Sequence, residues 1–319
     1  MTEPTLDVVV TRREQQADGI IVLDLVPANG GTLPPFEPGA HVDVHAEPGL
    51  VRQYSLCGSP ADLSRYRLGV LLADDSRGGS AAIHRAFATG THVRIGQPRN
   101  LFPLAGDATQ SILIGGGIGI TPLLAMAHHL DDSGKPFALH YCARTPAKAA
   151  FLEEIRDAAF GARTQLHFDD GEAAQRFTPA RDLPKPAAGI HLYVCGPRGF
   201  MDWVSGEARA LGYDEAHIHR EDFNAEVDSS GDAFEVVLAK SNKTIAVPSG
   251  TTIVEALEKA GVRVDVSCEQ GICGTCLCMV LGGVPDHRDS YLTEEEREAN
   301  DQMMLCCSRS KTPQLVLDI

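Results

Sequence analysis

Cys268, Cys273 and Cys276 stand in the spacing C-x4-C-x2-C, and 29 residues separate Cys276 from Cys306, which is followed directly by Cys307. Six of the nine cysteines fall in the last 52 residues. An odd total with no secretory signal argues against a disulfide framework and for metal in the C-terminal part. Zinc sites pair one C-x2-C with a second pair or with histidines, and neither follows here. A redox dithiol at Cys273–Cys276 lacks a thioredoxin-like βαβ setting. The spacing matches the plant-type [2Fe-2S] arrangement, which needs four thiolates, two for each iron. Gly271 and Gly274 let such a loop curl and aim N–H groups at sulfur. Cys306 and Cys307 compete for the fourth place, and Cys278, two residues beyond Cys276 on a strand, reads as a buried thiol.

A second site for chemistry lies in ILIGGGIGITP. Gly115, Gly116, Gly117 and Gly119 follow a strand and open a helix, where free N–H groups and the positive dipole end attract a phosphate. Pro122 suits a helical first turn, and Thr121 places a hydroxyl at the strand-to-helix mouth. Upstream, RQYS (Arg52, Gln53, Tyr54, Ser55) offers a guanidinium fork, a planar face and a hydroxyl. RGGS (Arg77, Gly78, Gly79, Ser80) opens a short helix and reads as an anion site, while His84 one turn on reads as structural. YVCGP places Cys195, Gly196 and Pro197 at the end of a late strand.

These groups need elements to position them. Up to about residue 104, short alternating strands broken by Gly and Pro predict an antiparallel β-barrel. SAAIHRAFATG reads as one helix with Ser80 as N-cap and Gly90 as C-cap. From 105 to 224, strands alternate with helices, among them PAKAAFLEEIRDAAF and GFMDWVSGEARALG, which predicts βαβ units on a parallel sheet. Residues 225–232 read as a polar linker. From 233 to 319 come two strands, a helix starting near Ser249 or Thr251, the cysteine loop and two more strands.

Taken in order, R-x-Y-S, G-G-G-x-G-x-T-P, C-G-P and the cysteine loop resemble the ferredoxin–NAD(P)+ reductase superfamily, in its phthalate dioxygenase reductase branch. The resemblance implies a flavin β-barrel, a Rossmann-like α/β nicotinamide domain and a C-terminal β-grasp ferredoxin domain. It implies that Arg52 to Ser55 and Arg77 to Ser80 hold flavin, with RGGSAAIH and IGQPRNLFPL pointing to FMN over FAD. It implies that the glycine turn with Thr121 and Pro122 receives the nicotinamide nucleotide, that Cys195, Gly196 and Pro197 lie near the nicotinamide ring, and that Phe223 lies close to the flavin ring. LCCSRS matches the family's Leu-Cys-Val-Ser-Arg pattern and makes Cys306 the fourth ligand beside Cys268, Cys273 and Cys276. Arg144, after the second strand of the α/β segment, could pair with the extra phosphate of NADPH, whereas the branch favours NADH. Ser55, Thr121, Cys195 and Phe223 are the expected catalytic positions in the sense of positioning, since hydride transfer here needs no strong acid or base. The implied activity passes electrons from NAD(P)H through flavin and cluster to a terminal oxygenase. A Rieske-type aromatic oxygenase or demethylase is the expected acceptor, with a cytochrome P450 as rival; the contrasting class is a redox-sensing or electron-carrier iron–sulfur protein.

The 319 residues carry a formal net charge of −15, with 43% hydrophobic and 22% charged residues. That balance fits a globular chain and excludes nucleic acid as a main partner, because phosphate contacts need clustered Lys and Arg. The start MTEPTLDVVV lacks a basic stretch followed by an apolar core, and no apolar run reaches membrane-spanning length. The expectation is a cytoplasmic protein with no membrane contact.

Overall fold

A computed structural model describes residues 5–47, 50–73, 78–223, 227–267, 269–271, 273–289 and 291–319. The chain forms two compact units, Met1–Asn224 and Ala225–Ile319. The first begins with strands β1 (Thr5–Ala17), β2 (Ile20–Pro27), β3 (Ala40–Glu47), β4 (Leu50–Ser55), β5 (Tyr66–Leu71), β6 (His92–Gly96) and β7 (Arg99–Asn100). They pair antiparallel in the order β4-β3-β6-β1-β2-β5, with β7 against β3. A bridge between Leu56 and Leu68 joins the two edges, so the sheet closes into a barrel. Period-two alternation sends Val8, Val10, Leu23, Leu25, Val42, Val44 and Leu68 inward as its core.

The α/β part holds β8 (Gln110–Gly116), β9 (Phe137–Ala143), β10 (Thr164–Phe168), β11 (Ile190–Cys195) and β12 (Ile218–Glu221). All pair parallel in the order β10-β9-β8-β11-β12. Helices cover both faces, as parallel sheets require. Leu113 faces the cluster that contains Leu123, Leu124 and Tyr193, whereas Ile112 and Ile114 face Met201 and Val204. The first cluster also takes in Ala17, Ile20, Val22, Cys57 and Phe102, so barrel and α/β sheet share one continuous core.

The helices of this unit are α1 (Gly79–Ala86), α2 (Ile120–Asp132), α3 (Leu152–Asp157), α4 (Pro179–Asp182) and α5 (Arg198–Leu211). Two differ from the sequence expectation. Gly78, left-handed at φ 92°, caps α1 in place of Ser80, and Phe87 rather than Gly90 closes it. The Ser80 hydroxyl instead accepts from the Ala73 amide at 3.2 Å. The long helix expected over 146–160 is only α3 with a preceding 3-10 turn, because Phe151 takes φ 65° and breaks the run. That residue's amide donates to Gln16 Oε1 at 2.9 Å, anchoring the break to the barrel.

The second unit contains β13 (Phe234–Leu238), β14 (Lys243–Val247), α6 (Ile253–Lys259), β15 (Leu277–Gly282), β16 (Pro285–Asp286), α7 (Glu294–Ala299), β17 (Gln302–Met304), β18 (Arg309–Ser310) and β19 (Gln314–Leu317). Its mixed sheet runs β14-β13-β19-β15-β17 with α6 packed across it, the β-grasp arrangement. Thr252, not Ser249 or Thr251, caps α6, forming a capping box with Glu255. The charged stretch SYLTEEEREAN contains α7, started by the same device at Thr293 and Glu296. Cys278 is half-buried rather than enclosed, with its thiol 3.5 Å from the Met279 carbonyl.

Candidate flavin, nicotinamide and cluster sites

R-x-Y-S and G-G-S have 22 residues between them in sequence yet meet in space. Arg52 lies on β4 opposite Val44, and a Cβ on Gly79 would overlap the Arg52 side chain. Only glycine lets the arginine lie across the N-terminus of α1, so a guanidinium and the positive end of the helix face the same space. That cradle fits a flavin phosphate. Arg52 Nη1 donates to the Val51 carbonyl at 2.7 Å. Tyr54 packs on the barrel core, and burial pushes its phenol up to about 12 against the pull of Arg52. Gln53 pairs with Asp43 across the strands. His84 Nε2 lies 3.0 Å from the Val70 carbonyl, a structural contact. Arg77 lies outside the described residues.

The glycine turn is built by close approach. A Cβ on Gly119 would overlap the carbonyl of Cys195, and one on Gly116 would stand 2.8 Å from the Phe200 ring. At Gly196 the limit is the Gly116 backbone, at 3.0 Å. The turn and C-G-P are thus pressed backbone to backbone at the C-terminal edge of β8 and β11, where open α/β sheets bind ligands. Gly117, by contrast, takes φ 56° with open space around its Cα, a cradle suited to a pyrophosphate. Thr121 is buried; its hydroxyl donates to the Ile118 carbonyl at 3.0 Å and its methyl group faces Gly69 of the barrel. Pro122 is buried in the first turn of α2 and Pro197 caps α5. Cys195 is fully buried, and burial, reinforced by Glu221 and Asp222, holds its thiol well above the usual range.

Glu221 is a residue the sequence reading missed. It pairs in parallel register with Cys195, and its carboxylate lies 3.5 Å from the Ser55 hydroxyl. Burial raises its carboxyl to about 8, offset in part by Ser55. One acid at the C-terminal end of the last parallel strand, beside the already noted Phe223, was the available signal. Phe223 is 38% exposed two residues further on. Arg144 is exposed just past β9, two residues beyond Cys142, the register partner of Gly116. Ser55, Cys195, Glu221 and the glycine turn therefore converge, while Arg144 and Phe223 stand at the rim of the same edge.

In the second unit, Cys276 ends the loop and Cys306 follows β17, with Leu277 paired to Met304. The Cys306 amide donates to Cys276 Sγ at 3.4 Å, the kind of N–H···S contact that stabilises thiolate charge. Cys273 Sγ lies 3.3 Å from Thr275 Oγ1. Glu269, Gly271 and Gly274 take φ of 55°, 75° and 81°, which curls the loop. Cβ atoms would drive Gly271 into Cys307 Sγ and Gly274 into the Tyr291 ring. Cys307 therefore packs against the loop backbone, with Sγ 3.9 Å from the Met304 carbonyl. Asp289 holds the rim, accepting from the Tyr291 and Leu292 amides at 3.1 and 2.8 Å. Cys268 lies outside the described residues. The approach of Cys276 and Cys306, the N–H···S contact between them and the left-handed glycines fit an iron–sulfur cluster.

Residues 113–206 match the oxidoreductase NAD-binding domain family, and residues 236–311 match the 2Fe-2S iron-sulfur cluster binding domain. Vanillate O-demethylase oxidoreductase of Pseudomonas sp. (strain HR199 / DSM 7063) is 46% identical over 98% of this chain and all of its own length. Phthalate dioxygenase reductase, a modular structure for electron transfer from pyridine nucleotides to [2Fe-2S], is 35% identical with a TM-score of 0.73, covering 99% of this chain and 98% of its own. The chain belongs to the phthalate dioxygenase reductase family. An intact type IV self-sufficient cytochrome P450 monooxygenase also matches, with a TM-score of 0.77 at 36% identity over all of this chain and 42% of that one. As a family member the chain is an NAD(P)H-dependent oxidoreductase with a flavin barrel, a nicotinamide domain and a [2Fe-2S] ferredoxin domain. None of its described helices is long and apolar enough to cross a membrane.

Proposed function

We propose that this chain is the reductase component of a Rieske-type aromatic oxygenase or demethylase, working in the cytoplasm with NADH and FMN. The carrying observation is the convergence of Ser55, Cys195, Glu221 and the glycine turn at one sheet edge, in a chain that also holds a ferredoxin-type cysteine loop. When bound, the flavin and the cluster supply the conversion of a hydride's two electrons into single electrons.

The residues of the chain bind and orient. Arg52, Gln53, Tyr54 and Ser55, with Arg77, Gly78, Gly79 and Ser80, would hold the flavin, Arg52 and the start of α1 supplying positive charge for its phosphate. The resemblance of RGGSAAIH and IGQPRNLFPL to the FMN-binding branch supports FMN over FAD. Gly115, Gly116, Gly117, Gly119, Thr121 and Pro122 receive the nicotinamide nucleotide, with Arg144 at its outer end. Cys195, Gly196 and Pro197 flank the nicotinamide ring, Phe223 lies by the flavin ring, and Ser55, with Glu221 beside it, would hydrogen-bond the flavin's reactive edge. Cys268, Cys273, Cys276 and Cys306 are the cluster ligands. The division of labour is 1–104 for flavin, 105–224 for nicotinamide and 233–319 for the cluster.

The matching self-sufficient P450 favours a second acceptor class, a cytochrome P450. The test is reconstitution of the purified reductase with a vanillate-type Rieske oxygenase and, separately, with a bacterial P450, scoring product formed per NADH consumed. Tight coupling to the Rieske protein is the expected result. Coupling to the P450 alone would reassign the partner.

A further inference from the structure

β15 lies inside the sheet of the iron–sulfur unit, between β19 and β17. Cys278 and Val280 turn to the core of that unit. Leu277, Met279 and Leu281 turn the other way and are between 40% and 59% exposed. A sheet with one wetted face normally carries polar side chains there. The neighbouring strands β13 and β19 do so at Glu235 and Gln314, register partners whose side chains meet at 3.2 Å, Gln314 Nε2 donating to Glu235 Oε2. β15 breaks the rule with three large apolar side chains in a row. The stripe continues past the strand. The Leu277 amide donates to the Gly274 carbonyl at 3.0 Å, and the exposed Tyr291 ring lies against Gly274. Apolar surface therefore runs from Leu281 to the loop between Cys273 and Cys276.

Acids flank this surface. α7 and the turn after it expose Glu294, Glu295, Glu296, Glu298 and Asp301. The Val280 amide donates to the Asp301 carbonyl at 2.8 Å, which brings that turn to the side of β15. Arg297, the basic residue among these acids, donates to the Asp289 carbonyl at 2.7 Å. A contiguous apolar patch with a polar rim marks a protein interface, and here the rim selects the occupant. Residues 225–319 hold 8 basic and 16 acidic side chains, a net −8, and residues 1–224 hold 20 and 27, a net −7. A second copy of the chain, or its own first unit, thus brings like charge to an acidic rim, which opposes docking. We propose that Leu277, Met279, Leu281 and Tyr291 form the docking surface for the electron acceptor, a protein whose matching face is apolar at its centre and basic at its edge. The apolar centre supplies affinity and the acids supply the rate of capture. The inference rests on the oxygenase-reductase reading and names the face by which the acceptor is met.

The test titrates a vanillate-type Rieske oxygenase against the holoprotein with NADH in excess, beside anaerobic stopped-flow reduction of the chain's own cluster. Met279→Ser combined with Leu281→Ser, with wild-type iron and flavin per chain, should raise the KM for the oxygenase about tenfold or more. Flavin bleaching and cluster reduction within the chain should keep their wild-type rates. If the serine pair loads less iron, Leu281→Gln alone, at the most exposed position, should still raise that KM roughly threefold. Glu295→Gln combined with Glu298→Gln should raise it several-fold at 20 mM salt and much less at 200 mM. An unchanged KM in the serine pair and in Leu281→Gln overturns the surface. Slowed cluster reduction within the chain would give the stripe to the flavin unit. A wild-type dimer that the serine pair breaks, seen by sedimentation, would give it to a second copy; either result overturns the proposal. A wild type that reduces a bacterial P450 but not the Rieske protein would instead remove the Rieske reading. The same variants are then titrated against the P450, where an unchanged KM again overturns the surface.

Discussion

Glu221 shows how a side chain acquires its role only through its neighbours. A carboxyl held at about 8 by burial keeps its proton at neutral pH. The folded protein binds that proton between pH 4.5 and about 8, where the unfolded chain has lost it. Glu221 therefore costs stability progressively as pH rises through that window, by at most about 1.4 kcal/mol per pH unit. Glu221→Gln should flatten this slope in urea unfolding curves taken from pH 5 to 8.5. It should also remove any break near pH 8 from the rate of flavin bleaching by NADH; a break retained in the variant would assign it elsewhere. At the cluster, Cys306 stands by Cys276 through an N–H···S contact while Cys307 packs on Gly271. Cys306→Ser should lose most bound iron and cytochrome c reduction yet keep NADH–ferricyanide activity. Cys307→Ser should keep its iron, and the opposite pattern of iron content would exchange the two assignments. The cysteine spacing and the glycines were legible from sequence because their geometry is local. Glu221 was not, because its burial depends on β12 lying beside β11 and on Ser55 arriving from the barrel.

At the scale of elements, the glycine turn is a contact between two backbones. Gly119→Ala would press a methyl group into the Cys195 carbonyl and the Gly196 amide. The expected outcome is at least a tenfold rise in KM for NADH with flavin content retained, measured by steady-state ferricyanide reduction; an unchanged KM would show that the turn does not shape the nucleotide site. The neighbouring strands β9 and β10 are tied by a buried His140–His167 pair, 3.1 Å apart. Burial, then His167, depresses His140 to about 4, and burial also lowers His167. A histidine with a lowered folded value stabilises the fold above the unfolded value of about 6.5 and loses that contribution as pH falls towards 4. Thermal unfolding should therefore weaken from pH 7 to pH 5, and His140→Phe should weaken less over the same range. A variant that tracks the wild type would place the acid sensitivity in other groups. The strand order and most helices followed from hydrophobic periodicity. The break at Phe151 did not, since a left-handed bulky residue is tolerated only where tertiary contacts such as Gln16 hold it.

The whole molecule couples three sites through two compact units. The order of flavin, nicotinamide and cluster modules could be read from motifs, because each motif carries its own local chemistry. The merging of barrel and α/β sheet into one core depends on contacts distant in sequence and left no pattern to read. The net charge of −15 also belongs to this scale. Long-range attraction to a basic acceptor is screened over about 10 Å at 0.1 M salt. Turnover with the partner oxygenase should therefore fall several-fold between 20 and 200 mM salt while flavin bleaching by NADH holds steady. A salt-independent coupling would mean that docking rests on apolar contacts instead.

The most direct test of the account is anaerobic mixing of the reconstituted protein with NADH at several protein concentrations. The flavin should bleach first, and the cluster of the same chain should then be reduced at a rate independent of protein concentration. A protein that carries flavin and iron but is bleached by neither NADH nor NADPH would contradict the account.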